Sequence, residues 1–203
     1  MVKLTQPDAL NEKAEEERQE SAVLTSFNEL YIWSMLHHPC IHRLYGIGTI
    51  PGTSISFAAA EVINFDLMSY LEKHPDLTLV QKVRLMTDVA RGMKLLHDKE
   101  FVHTNLKPKN ILVSDNGNAM ISDFSLARPF SEAADLSAED GSRLLSLAYT
   151  SPERIEQWKS VKGLCSSSDM RSGIFPSDDV FSFGIVCAAV NLAAQAGPSS
   201  SRK

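Results

Sequence analysis

The stretch FVHTNLKPKNILV, Phe101–Val113, constrains the fold more than any other part of the chain. An apolar approach leads to His103, a polar turn carries Lys, Pro and Asn, and the exit is apolar and β-like. A turn signal follows at Asn116-Gly117 within SDNGNA, and then the short strand AMIS. A strand, a polar loop, a second strand, a turn and a third strand must therefore sit side by side. With His103, Asn105, Lys107 and Asn110 on one polar turn between two strands, the loop has the composition of a chemical site.

Helices surround this unit. From Ser26, a capping-box spacing to Glu29 and the period of Phe27, Leu30, Tyr31, Ser34 and Met35 predict a helix that stops before Pro39. Residues 41–62 read as two strands joined through GIGTIPG, Gly46–Gly52, whose glycines mark a hairpin turn. A short helix is expected over Leu67–Lys73, ending at His74-Pro75. Thr78 and Gln81 cap a long amphipathic helix, with Leu79, Val83, Met86, Ala90, Met93 and His97 as its expected buried face. The charged run NEKAEEERQE reads as a solvated face, and the tail GPSSSRK as low complexity. The alternation gives an α+β class.

Composition narrows the partners. A net charge of −5, with no long basic run, argues against a nucleic-acid surface. Cys40, Cys165 and Cys187 are too widely spaced for a zinc site or a disulfide framework, so reduced thiols in a cytoplasmic chain are expected. No secretory leader is evident at the N-terminus. The longest apolar stretch, Phe181–Ala196, is interrupted by Ser182, Asn191 and Gln195 and predicts a buried helix, not a membrane span.

Four segments in order carry a family resemblance: HTNLKPKN (His103–Asn110), DFS (Asp123–Ser125), YTSPE (Tyr149–Glu153) and SDDVFSFG (Ser177–Gly184). Together they resemble the large lobe of a eukaryotic protein kinase of the tyrosine-kinase-like or Ser/Thr type. Upstream, FNELYIWSMLHHPCIHRLYGIG resembles the family's regulatory helix and the strand after it, and FAAAEVINFDLMSYLEKHP its hinge. The resemblance implies a protein-kinase-like fold. Residues 1–64 would be the remnant of a small lobe, 65–191 an incomplete, mainly helical large lobe, and 192–203 a disordered tail. It implies ATP and Mg²⁺ as cofactors, with Asn110 and Asp123 as metal ligands and Lys107 neutralising the transferred phosphate. Glu61, Val62 and Leu112 become candidates for nucleotide contact. Lys3, in MVKL, becomes the candidate phosphate anchor paired with Glu29, across an insertion that the charged run supplies. Trp33, Phe124 and His103 would form an apolar column, and Asp179 would hydrogen-bond the loop backbone.

The departures are as informative. Asn105 stands where the resemblance implies a catalytic-loop Asp that aligns the attacking hydroxyl; an amide can orient a hydroxyl but cannot accept its proton. Thr104 replaces an Arg that would pair with a phosphate on the following segment, and Ser125 replaces a Gly whose position is expected to need φ > 0. No G-x-G-x-x-G precedes the first helix. An impaired kinase or pseudokinase is the leading expectation, with a non-catalytic scaffold and a weak Ser/Thr kinase as alternatives. If the chain stops inside the lobe's central helix, apolar surface there faces water and invites a protein partner, and the isolated chain is marginally stable. Glu153 would then lack its late Arg partner.

Overall fold

In a computed structural model, residues 28–51, 56–130, 147–161 and 173–195 are described. Residues 28–35 form helix α1. The strands are β1 (Leu44–Thr49), β2 (Ser56–Ala60), β3 (Phe65–Asp66), β4 (Phe101–Val102), β5 (Ile111–Val113), β6 (Ala119–Ile121) and β7 (Arg128–Pro129). The remaining helices are α2 (Leu67–Lys73), α3 (Leu79–Asp98), α4 (Pro152–Val161) and α5 (Pro176–Gln195). This mixture is the α+β class expected. α5 continues to Gln195, so the boundary expected after residue 191 falls inside a helix. Ser26, Phe27 and the whole of MVKL lie outside the described residues, and with them the expected cap of α1 and any pairing of Lys3.

β1 and β2 pair antiparallel from Leu44↔Ala60 to Thr49↔Ser56, which is the expected hairpin. A three-stranded sheet has the order β3-β5-β6. Its turn closes through the Gly117 amide onto the Ser114 carbonyl at 2.9 Å, and Gly117 takes φ 76°. A single left-handed residue after a tight turn is the three-residue hairpin geometry, which glycine enters without a Cβ penalty. The small sheet is tied to the segment after α1: the His42 amide donates to Ile121 O and the Ile121 amide to Cys40 O.

α2 is capped by Asp66, whose side chain accepts from the Ser69 amide. α3 has the capping box that Thr78 and Gln81 predict. Its buried face differs from the expected one. Leu79 and Val83 are 74 % and 54 % exposed, whereas Leu85, Val89, Gly92, Met93 and Leu96 are buried. The buried stripe lies about a quarter turn away at 3.6 residues per turn. Periodicity alone misleads here because the first turns of α3 carry apolar side chains, Leu79, Val80 and Val83, that stay exposed.

Gly92 is what lets α3 approach so closely. A Cβ at this position would stand 2.7 Å from the Cys40 carbonyl oxygen and 2.9 Å from Ile121 Cδ1. Gly92→Ala is expected to destabilise by about 1–3 kcal/mol, since a backbone oxygen cannot swing aside. Urea denaturation should show the loss as a lower midpoint at unchanged slope. The core beneath combines Ile32 of α1, Leu36 just after it, the α3 stripe, Ile111, Val113 and Ile121 of the sheet, Phe124, and Val186 and Val190 of α5.

Candidate functional site

The loop after β4 is held from below by one carboxylate. Asp179, fully buried in the first turn of α5, accepts the His103 amide on Oδ2 at 2.8 Å and the Thr104 amide on Oδ1 at 2.9 Å. Its Oδ2 also meets His97 Nε2 of α3 at 2.9 Å. An acidic side chain is favoured at a helix N-terminus, so α5 supplies both the position and the field for this anchor. The scaffold role expected of Asp179 is present.

His103 is buried and its ring is satisfied. Nδ1 accepts the Asn105 amide at 3.2 Å, so Nε2 carries the hydrogen and donates to the Ser122 carbonyl at 3.1 Å. That pattern requires a neutral ring, hence a structural histidine. Its ring packs against Phe124 with centroids 5.5 Å apart, and Phe124 lies 6.3 Å from Trp33 of α1. Trp33 Nε1 donates to the His42 carbonyl. The expected column from α1 to the loop is thus continuous.

Three of the candidate site residues come together. Asn110, buried at the end of the 3₁₀ turn Pro108–Asn110, donates from Nδ2 to the Asn105 carbonyl at 2.8 Å. Asn105 Nδ2 donates to Asp123 Oδ2 at 3.4 Å. Asp123 sits on the turn after β6 with φ 64°, a conformation Asp tolerates better than most residues. Lys107 is half-buried, immediately before the 3₁₀ turn. The nucleotide candidates occupy other elements: half-buried Glu29 on α1, half-buried Glu61 and 68 %-exposed Val62 between β2 and β3, and Leu112 on β5 opposite Asp66 and Met120. Lys3 lies outside the described residues.

Two functional contacts escape a reading of the sequence. Ser125 Oγ donates to Asp123 Oδ1 at 2.6 Å. Ser125 does not take a positive φ; Asp123 does, so the strain expected at residue 125 sits two residues earlier. Thr104 takes φ 62°, unusual for a β-branched residue, and its hydroxyl donates to the Leu126 carbonyl at 2.6 Å. The residue in the expected phosphate-pairing position therefore bonds the segment after Asp123 directly. The motif YTSPE is anchored too: Ser151 Oγ donates to Asp178 Oδ1 and Ser182 Oγ to the Tyr149 carbonyl. Glu153 is exposed and forms no ion pair among the described residues.

Asp123 has an acceptor set that suits a hard cation. Both oxygens face neutral donors, and no cationic side chain pairs with it among the described residues. Asn110 uses its amide N–H₂ on the loop, which leaves Oδ1 as the oxygen able to face an ion. One carboxylate plus one amide oxygen is the sparse protein contribution that Mg²⁺ accepts when phosphates and water complete its shell. Elsewhere, Cys40 and Cys187 are free thiols, both pushed up in pKa mainly by burial, and Cys165 lies outside the described residues. No described helix is long and apolar enough to cross a membrane.

Residues 9–197 match the family model for protein tyrosine and serine/threonine kinases. The chain is 35% identical to the E3 ubiquitin-protein ligase KEG of Arabidopsis thaliana over 133 residues, 60% of this chain and 8% of that protein. It is 32% identical to the tyrosine-protein kinase Fer of Rattus norvegicus over 159 residues, 78% of this chain and 17% of that protein. Ephrin type-A receptor 7 of Gallus gallus is 28% identical over 159 residues, 78% of this chain and 14% of that protein. The chain thus spans less than a fifth of each curated relative. Among solved structures, one from the yeast RNA Pol II CTD kinase CTDK-1 complex superposes with a TM-score of 0.69 at 21% identity, over 95% of this chain and 54% of that one.

Proposed function

The chain belongs to the protein tyrosine and serine/threonine kinase family, and from that premise we propose that it is a nucleotide-binding, catalytically impaired kinase domain. The observation that carries this reading is the Asn105–Asp123 contact: an amide occupies the place of the loop's base and spends its N–H on the neighbouring carboxylate. An amide oxygen can align a hydroxyl, yet it cannot take up the proton, and a positioned acid–base group is worth about 10²–10⁴ in rate.

In this reading Asn110 and Asp123 hold Mg²⁺ by their oxygens, Lys107 offers positive charge to the phosphate, and Glu61, Val62 and Leu112 contact the nucleotide. Mg²⁺–ATP, when bound, supplies the transferable phosphoryl group and the charge neutralisation it requires. Without the cation, Ser125 and Asn105 satisfy the Asp123 carboxylate, so the site is held in shape by neutral donors. We place the lobe boundary near residue 64, between β2 and β3, and the protein in the cytoplasm, where its free thiols stay reduced.

A second reading, a scaffold that uses the kinase shape to hold a protein, draws on Val180 and Leu192, which stand 57 % and 63 % exposed on α5.

Thermal melting separates the two. With Mg²⁺ and ATP at 100 times its Kd, a ligand that binds only the folded chain adds about 2.7 kcal/mol, a clear rise in Tm. Asp123→Ala should abolish the Mg²⁺-dependent part of the rise. Phosphate transfer to a generic protein substrate should stay at background. Brisk transfer by the unaltered chain would overturn the impairment, and an unmoved Tm would favour the scaffold.

A further inference from the structure

A cavity of about 440 Å³ lies between α3, the loop after α2 and the β5–β6 turn, and none of Asn105, Lys107, Asn110 or Asp123 lines it. Its α3 wall is the stripe Gln81, Arg84, Asp88 and Arg91, at steps of three, four and three. Arg91 Nη1 pairs with Asp88 Oδ1 at 3.4 Å, and Asp88 Oδ2 also receives the Ala119 amide. Arg84 is exposed and has no hydrogen bond or ion pair among the described residues. The opposite wall is the turn with Asn116 and Asn118, both exposed. On the same side stands Tyr70, only 7 % exposed, its ring held against His74 and Phe65. The Tyr70 hydroxyl has no hydrogen-bond partner among the described residues and lies 3.2 Å from where a Cβ on Gly117 would stand, at the cavity wall.

We propose that this cavity docks an acidic peptide segment of a partner protein, with a Glu or Asp carboxylate on Arg84 and the Tyr70 hydroxyl and its main chain against Asn116 and Asn118. On a chain of net charge −5, two guanidiniums against one carboxylate make a locally cationic wall. Arginine presents paired donors that match a carboxylate, and the Tyr70 hydroxyl, open to the cavity, can donate to the same group. The lining also favours a peptide over a free phosphate. The Asn116 and Asn118 carboxamides offer both donor and acceptor, as a peptide backbone requires. Leu77 in the wall and Val80, 61 % exposed one turn before Arg84, offer contact to an aliphatic neighbour of the acidic residue.

Fluorescence anisotropy with the full chain tests this, using a fluorescein-labelled Glu-Asp-Leu-Glu-Asp peptide and its lysine counterpart. The acidic probe should bind and weaken with salt, while the lysine probe should not bind. Arg84→Glu should weaken binding tenfold or more, and Tyr70→Phe, which keeps the ring, several-fold, with the melting temperature of each variant close to that of the parent. Equal binding of both probes, or no loss in Arg84→Glu, overturns the proposal. So does displacement by inorganic phosphate beyond that by chloride at matched ionic strength, which would make the cavity a small-anion site.

Discussion

Asp179→Ala is expected to cost about 2–6 kcal/mol, since two amide N–H groups lose their buried acceptor at about 1–3 kcal/mol each. The chain's whole stability is of order 5–15 kcal/mol, so the variant should sit near the edge of folding. The size follows from what the carboxylate touches: the amides of His103 and Thr104, at 2.8 and 2.9 Å, are left without acceptors in a region where Asp179 itself is 0 % exposed. His97 Nε2 loses its partner as well. Asp179→Asn should cost less, because one oxygen remains to accept, while its N–H₂ then faces a donor. Urea denaturation followed by circular dichroism measures both. A loss below about 1 kcal/mol for Asp179→Ala would mean that water reaches the loop amides, and that the loop is not anchored through α5.

The same anchor shows how far the sequence alone leads. Asp179, His103, Phe124 and Trp33 were legible because their roles depend on spacing between motifs, and the fold brings those motifs together at that spacing. The capping box at Thr78 and the hairpin of β1 and β2 were legible because both are local chemistry. The buried face of α3 was not, since Leu79 and Val83 are as apolar as Leu85 and Val89 and only the neighbouring sheet decides which pair it covers. Ser125 was readable as a departure but not as a donor. Its hydroxyl reaches Asp123 only because residue 123 takes the left-handed turn that was expected at residue 125. Thr104 was readable as a lost arginine, and its bond to the Leu126 carbonyl depends on a φ of 62° that composition does not announce.

Asn105→Asp should change the site more than any other single substitution, in two opposite directions. A carboxylate at residue 105 would stand about where the amide nitrogen now is, 3.4 Å from Asp123 Oδ2. Two like charges that close disfavour joint ionisation, so the metal-free variant should be less stable than the parent near neutral pH and should recover as pH falls and one carboxyl takes a proton. Divalent cation should reverse the loss, because Mg²⁺ favours the pair that repels without it. With Mg²⁺ and ATP present, the restored base should raise phosphate transfer by about 10²–10⁴ over the parent chain. Melting temperature with and without Mg²⁺, alongside single-turnover transfer from radiolabelled ATP, reads both directions at once. A variant that melts lower without Mg²⁺, is rescued by it, and still transfers nothing would place the deficit at the nucleotide end of the cleft instead of at residue 105. A variant whose stability ignores both pH and Mg²⁺ would show that residues 105 and 123 do not share a site.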